Sequence, residues 1–177
     1  MKMFHDIDRT APTQLGELFD RMRRDGLLDL AAREDKGAGG FCAFLPTLGA
    51  PFIFANCNGT AGDARVFTHE MGHAYQGYSS HRVLELGDQR RCTSETAEIH
   101  SMSLEFLSWP WMELFFGDAA PRFRAAFPAW RCAHLFLHFG GATLVTSETL
   151  MLRSVQLSSL WKLRCFKACN YCHFCLA

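Results

Sequence analysis

Along the first third of the chain the apolar positions pass from a helical to a strand rhythm. Leu15, Leu18, Phe19 and Met22 recur at i, i+3, i+4 and i+7, which predicts an amphipathic helix over 13–25 that stops near Gly26. Residues 27–32 read as a further short turn, and Lys36-Gly37-Ala38-Gly39-Gly40 as a flexible loop. Two aromatic-rich apolar runs follow, 41–45 and 51–55, separated by Pro46-Thr47-Leu48-Gly49; they predict two strands joined by a turn. Asn58-Gly59 breaks the second strand, and Thr60 with Asp63 three residues on resembles a capping box, so a helix is expected over about 61–79. Polar residues 80–92 predict a solvated loop. Thr93 or Ser94 can cap the next helix, with Glu95 suited to its N-terminal dipole, and Pro110 kinks or ends it. Residues 111–116 and 123–139 are expected to be helical, and past Gly140-Gly141 the periodicity fades. The pattern predicts a mainly α protein with a small β-sheet.

The 177 residues fit one domain, and 18 Lys+Arg against 18 Asp+Glu give a formal charge of zero. That balance argues against nucleic acid or an anionic membrane surface as a partner. At 49% hydrophobic with sixteen Phe the chain is globular in composition, and its longest apolar stretches are broken by Pro110, His138 and Gly140-Gly141, too short for a membrane span. The charged N-terminus, Met1-Lys2-Met3-Phe4-His5-Asp6, shows no secretory pattern, so the widely spread Cys42, Cys57, Cys92 and Cys132 are expected to be reduced thiols. Charge is uneven, however: no acid follows Glu148, while Arg153, Lys162, Arg164 and Lys167 lie beyond it.

Chemistry concentrates in His69-Glu70-Met71-Gly72-His73, an HExxH motif within the helix expected over 61–79. A chain of this composition contains one by chance about 0.02 times. Two imidazoles four residues apart lie about 40° apart on one helix face, one turn up, and can converge on a single Zn²⁺. Glu70 projects to the side, free to act as the general base towards a water activated there.

A catalytic zinc needs a third protein ligand. Gln76 and Ser79 stand where a metzincin pattern needs Gly and His. The following helix offers Glu95, Glu98, His100 and Glu105; Glu98 and Glu105 fall about 20° apart on one face, and His100 points about 160° from Glu98. One carboxylate of this stripe can be a ligand and another can hold a ligand's imidazole N–H. Spacing alone does not choose between Glu95 and Glu98.

From about residue 18 to 116 the chain resembles the oligoendopeptidase F and thimet oligopeptidase family of zinc metallopeptidases. The resemblance rests on Gly39-Gly40-Phe41-Cys42, on Pro51-Phe52-Ile53-Phe54-Ala55-Asn56 leading into Asn58-Gly59-Thr60, on Thr68-His69-Glu70-Met71-Gly72-His73-Ala74, and on Ala97-Glu98-Ile99-His100-Ser101-Met102 with Glu105. It implies a zincin-like (gluzincin) core, one Zn²⁺ per chain on His69, His73 and Glu98, Glu70 as general base, and Glu105 behind a zinc-binding histidine. It also implies cleavage of short peptides and a cytoplasmic setting. The strand before the zinc helix would pair with an extended peptide, which makes Phe41, Cys42 and Ala43 candidate substrate contacts. Family members are several hundred residues long, with upstream helical segments and a C-terminal segment whose His and Tyr stabilise the oxyanion; neither part is recognisable here.

Residues 1–130 are therefore expected to be part of a zinc metallopeptidase catalytic domain, and 131–177 a divergent, basic, cysteine-rich segment. Two alternatives follow. One is a truncated zinc-binding remnant without peptidase activity; the other is a metal or redox module on Cys165, Cys169, Cys172 and Cys175, with His173 nearby. His134 and His138 form a second i, i+4 pair, but among Leu135, Phe136, Leu137 and Phe139 and without a Glu they read as half-buried helix residues.

Overall fold

The computed structural model describes residues 2–10 and 13–125, which are mainly helical with one small sheet. In chain order the elements are α1 (Lys2–Thr10), α2 (Leu15–Arg24), β1 (Leu28–Ala31), β2 (Gly40–Leu45), β3 (Ala50–Cys57), α3 (Ala61–Val83), α4 (Ser94–Leu107) and α5 (Glu113–Phe116). The sheet has the order β1-β3-β2, with β1 parallel and β2 antiparallel to the central β3.

Where the sequence pattern predicts a turn at 27–32, the chain forms β1. Leu28 and Leu30 alternate with Asp29 over only four residues, too few for a period-2 signal, and the strand exists because β3 pairs with it. Its register is pinned where Ile53 N–H donates to the Leu27 carbonyl at 3.0 Å and Ala32 N–H to the Cys57 carbonyl at 3.1 Å. The exposed β1 end is clamped by Asp29, which accepts from Arg33 at 2.7 Å and from the buried Lys36 ammonium at 3.0 Å.

The N-terminal residues form α1, which the sequence pattern also left unassigned. Met3, Phe4 and Ile7 make a short apolar stripe that is fully or almost fully buried. Phe4 meets Phe19 of α2 and Phe67 of α3, with ring centroids 5.2 and 5.9 Å away, so one aromatic cluster ties three helices together. Asp8 supplies the missing cap of α2, accepting the backbone N–H groups of Leu15 at 2.9 Å and Gly16 at 2.8 Å.

The longest helix, α3, begins where Asp63 accepts the N–H groups of Gly59 at 2.7 Å and Thr60 at 3.1 Å. It runs four residues beyond the expected end at 79, to Val83. On one side lies the sheet, with Ile53 and Ala55 fully buried; on the other lies α4, capped by the Thr93 hydroxyl. Gly72 permits that second contact. A Cβ there would lie 2.5 Å from Ser101 Cα and 2.8 Å from the His100 carbonyl oxygen, so the two helix backbones touch. Pro110 ends α4 in a 3₁₀ turn over Trp109–Trp111, as its ring geometry requires. Among the described residues no helix is long and apolar enough to cross a membrane.

Candidate metal centre

His69 and His73 lie one turn apart on α3, and the close approach at Gly72 brings the α4 carboxylates to them. His69 Nε2 and His73 Nε2 are 3.2 Å apart; Glu98 Oε2 lies 3.4 Å from the first and Glu98 Oε1 lies 3.7 Å from the second. A tetrahedral Zn²⁺ bound at about 2.0–2.1 Å separates its ligand atoms by about 3.3 Å. The three side chains come close to that spacing, with one ligand atom from each within 4.8 Å of the others, and could hold a zinc ion.

Two of the three donors are held from behind. Glu105, only 1% exposed, sits 2.6 Å from His69 Nδ1, which makes that nitrogen the N–H donor and leaves the Nε2 lone pair facing the other ligands. Ser101 donates its hydroxyl to Glu98 Oε2 at 3.1 Å, fixing the carboxylate. Burial holds the His73 imidazole below its ordinary pKa, which favours the neutral form a metal requires. His100 is half-buried on α4 and is not among the converging groups. Glu95 stands in the first turn of α4.

Glu70 is 7% exposed, and its carboxylate reaches Gly40 of β2. A Cβ on Gly40 would lie 3.5 Å from Glu70 Oε1, so the absence of a side chain at Gly40 makes room for the carboxylate. Burial, and then the Glu98 charge, push the Glu70 carboxyl up to about 7. The Cys42 thiol, beside it on β2, is pushed by burial up to about 12, which makes it inert as a nucleophile.

β2 is, with β1, one of the two edge strands of the sheet, so its second edge faces away from β3. Phe41 is exposed there and stacks on Phe54 at 5.0 Å, while Cys42 and Ala43 are half-buried. Ser101, Gly72 and Gly40 escape a search for ligand types because they act through position. An i+3 spacing from Glu98 marks Ser101, but nothing local marks either glycine. Cys132, His134, His138 and the cysteines of residues 165–175 lie outside the described residues; of the helix expected over 123–139, residues 123–125 are helical and the rest lies outside them as well.

The chain belongs to peptidase family M3, whose model matches residues 14–156. The match runs past Trp130, where the recognisable motifs end. Three solved structures are similar at a TM-score of 0.69: an oligoendopeptidase F whose crystals were grown by microfluidic seeding, at 44% identity over 80% of this chain; PZ peptidase A with an inhibitor, at 42% identity over 80%; and an oligoendopeptidase F from Bacillus anthracis, at 34% identity over 91%. This chain spans 24%, 24% and 32% of those proteins, respectively. No curated protein matches it.

Proposed function

We propose that this chain carries the zincin-like (gluzincin) centre of a cytoplasmic zinc metalloendopeptidase of the oligoendopeptidase F type, holding one Zn²⁺ on His69, His73 and Glu98 and cutting short peptides. The observation that supports it most is the convergence of three donor side chains from two helices, two imidazole nitrogens 3.2 Å apart with a Glu98 oxygen 3.4 Å from one and the other oxygen 3.7 Å from the second, and Glu70 on the β2 side.

A Zn²⁺ held by these residues would supply the Lewis acidity that polarises a peptide carbonyl and lowers the pKa of water. The chain's own groups do the rest. The outer edge of β2, around Phe41, Cys42 and Ala43, offers backbone N–H and C=O groups to an extended peptide. Glu70 takes a proton from the attacking water and passes it to the leaving amine. Glu105 keeps the His69 ring oriented and its Nδ1 protonated, and Ser101 keeps Glu98 from rotating away.

The test pairs metal content with turnover. Zinc-loaded wild type should cleave a quenched fluorescent peptide, and Glu70→Ala should keep its zinc while losing at least about 10²-fold in kcat. A second reading, zinc binding without turnover, draws on the short span matched, 24% of PZ peptidase A. It is the correct one if wild type binds zinc yet cuts the peptide no faster than Glu70→Ala.

A further inference from the structure

The α3 stripe that faces β2 consists of Val66, Glu70, Gly77 and His81, all within about 60° of one another around the helix. Contacts follow the same order along the strand: Gly40 lies against Val66 and Glu70, Phe44 against Gly77 and His81. Strand and helix thus run side by side in one direction, away from the metal ligands. At the far end of this track is a cavity of about 280 Å³ between the β2–β3 turn and the end of α3, lined in part by Phe44, Tyr78, His81, Arg82 and Arg90.

Its charge is unbalanced. Arg82 donates to the Gln14 amide oxygen and lies over the Tyr78 ring at 5.3 Å, while Arg90 donates to the carbonyls of Leu84 at 2.9 Å and Glu85 at 3.0 Å. These partners are all neutral. Among the described residues neither guanidinium has a carboxylate partner, unlike Arg9, Arg33 and Arg124. The His81 ring is held by its stack on Phe44 at 3.4 Å and by Nδ1 donating to the Gly77 carbonyl at 2.8 Å, so the cavity floor is fixed.

We propose that this cavity binds a carboxylate of the peptide substrate through Arg82 and Arg90. The proposal rests on the reading that the peptide lies along β2. Eleven helical residues separate Glu70 from His81, about 16 Å, or about five residues of extended peptide. A peptide parallel to β2 brings its free C-terminus to the cavity; an antiparallel one brings an acidic side chain on its N-terminal side. Guanidinium groups suit either carboxylate, and they disfavour an N-terminal amine.

Binding can be read without turnover by fluorescence anisotropy on the zinc-loaded 177-residue chain carrying Glu70→Gln. Five labelled peptides are needed: a neutral C-terminal amide, the same peptide with a free C-terminal carboxylate, the amide with an Asp about five residues before the scissile bond, and a cationic counterpart of each carboxylate peptide, one with a C-terminal aminoethylamide and one with Lys in place of the Asp. One carboxylate peptide should bind about tenfold more tightly than the neutral amide, and which one does so reports the peptide's direction. That gain should shrink as salt rises from about 0.05 M to about 0.5 M, fall below about twofold in Arg82→Gln/Arg90→Gln, and reverse in Arg82→Glu towards the cationic counterpart of the peptide that gained. Reversal is a gain that misfolding does not produce. If the neutral amide binds but neither carboxylate adds affinity, or the added affinity is insensitive to both salt and the arginines, the carboxylate site is wrong and the β2 track stands. If none of the peptides binds, the β2 track itself fails and the carboxylate site with it.

Discussion

Glu105 shows how one buried side chain serves the centre without touching the metal position. Its carboxylate has lost nearly all contact with water, and a 2.6 Å contact with His69 Nδ1 contributes to offsetting that loss. Glu105→Gln keeps the shape but removes the charge, and should weaken zinc binding about 10–100-fold in competition with a chromophoric chelator. Asp29 is a contrasting, purely structural case. Hydrogen bonds from Arg33 and then Lys36 hold its carboxyl down at about 2. Its folded pKa lies below the ordinary 3.8, so its stabilisation is present above about pH 4 and is lost as pH falls towards about 2. Urea titrations should therefore find Asp29→Asn less stable than wild type at neutral pH, with the gap closing by about pH 2. At this scale much was legible in the sequence. The HExxH spacing places two imidazoles on one face by helical geometry alone, and a carboxylate pair seven residues apart follows from the same arithmetic. The exact partners within the carboxylate stripe were not, because helical period sets direction and not distance; packing of α4 against α3 decides which group reaches which nitrogen.

That packing makes Gly72 the critical position among the elements. Replacing it with alanine puts a Cβ 2.5 Å from Ser101 Cα, and backbone cannot yield as a side-chain tip does. Gly72→Ala should push α4 from α3, carry Glu98 and Glu105 off the histidines together, and lower both melting temperature and zinc affinity; unchanged zinc affinity would show that the helix contact does not assemble the site. The long elements α2, α3 and α4 and the β2–β3 hairpin were readable because each has enough residues to display its period or carries explicit punctuation such as Asn58-Gly59-Thr60 and Pro110. β1 and α1 were not, at four and nine residues, because tertiary contacts specify them: β3 pairing for the strand, the Phe4–Phe19–Phe67 cluster for the helix.

Across the whole molecule, the aromatic cluster and the metal centre share α3, so stability and metal binding are linked. Phe4 is fully buried, and Phe4→Ala should cost about 3–5 kcal/mol of folding stability. Zinc should return part of that loss, since a ligand that binds only the folded state raises the melting temperature of wild type and variant alike. Sequence composition revealed none of this coupling, because zero net charge and a high Phe content are compatible with many folds. The same coupling separates the His69, His73 and Glu98 centre from the cysteines of residues 165–175: removing 160–177 should leave zinc content unchanged if the helical site is the one that binds. The most direct measurement is the zinc stoichiometry of purified wild type and His69→Ala, dialysed against a zinc buffer and read by elemental analysis. Wild type should retain one zinc per chain and His69→Ala should lose it; a His69→Ala chain that keeps its full zinc would contradict the assignment of the centre.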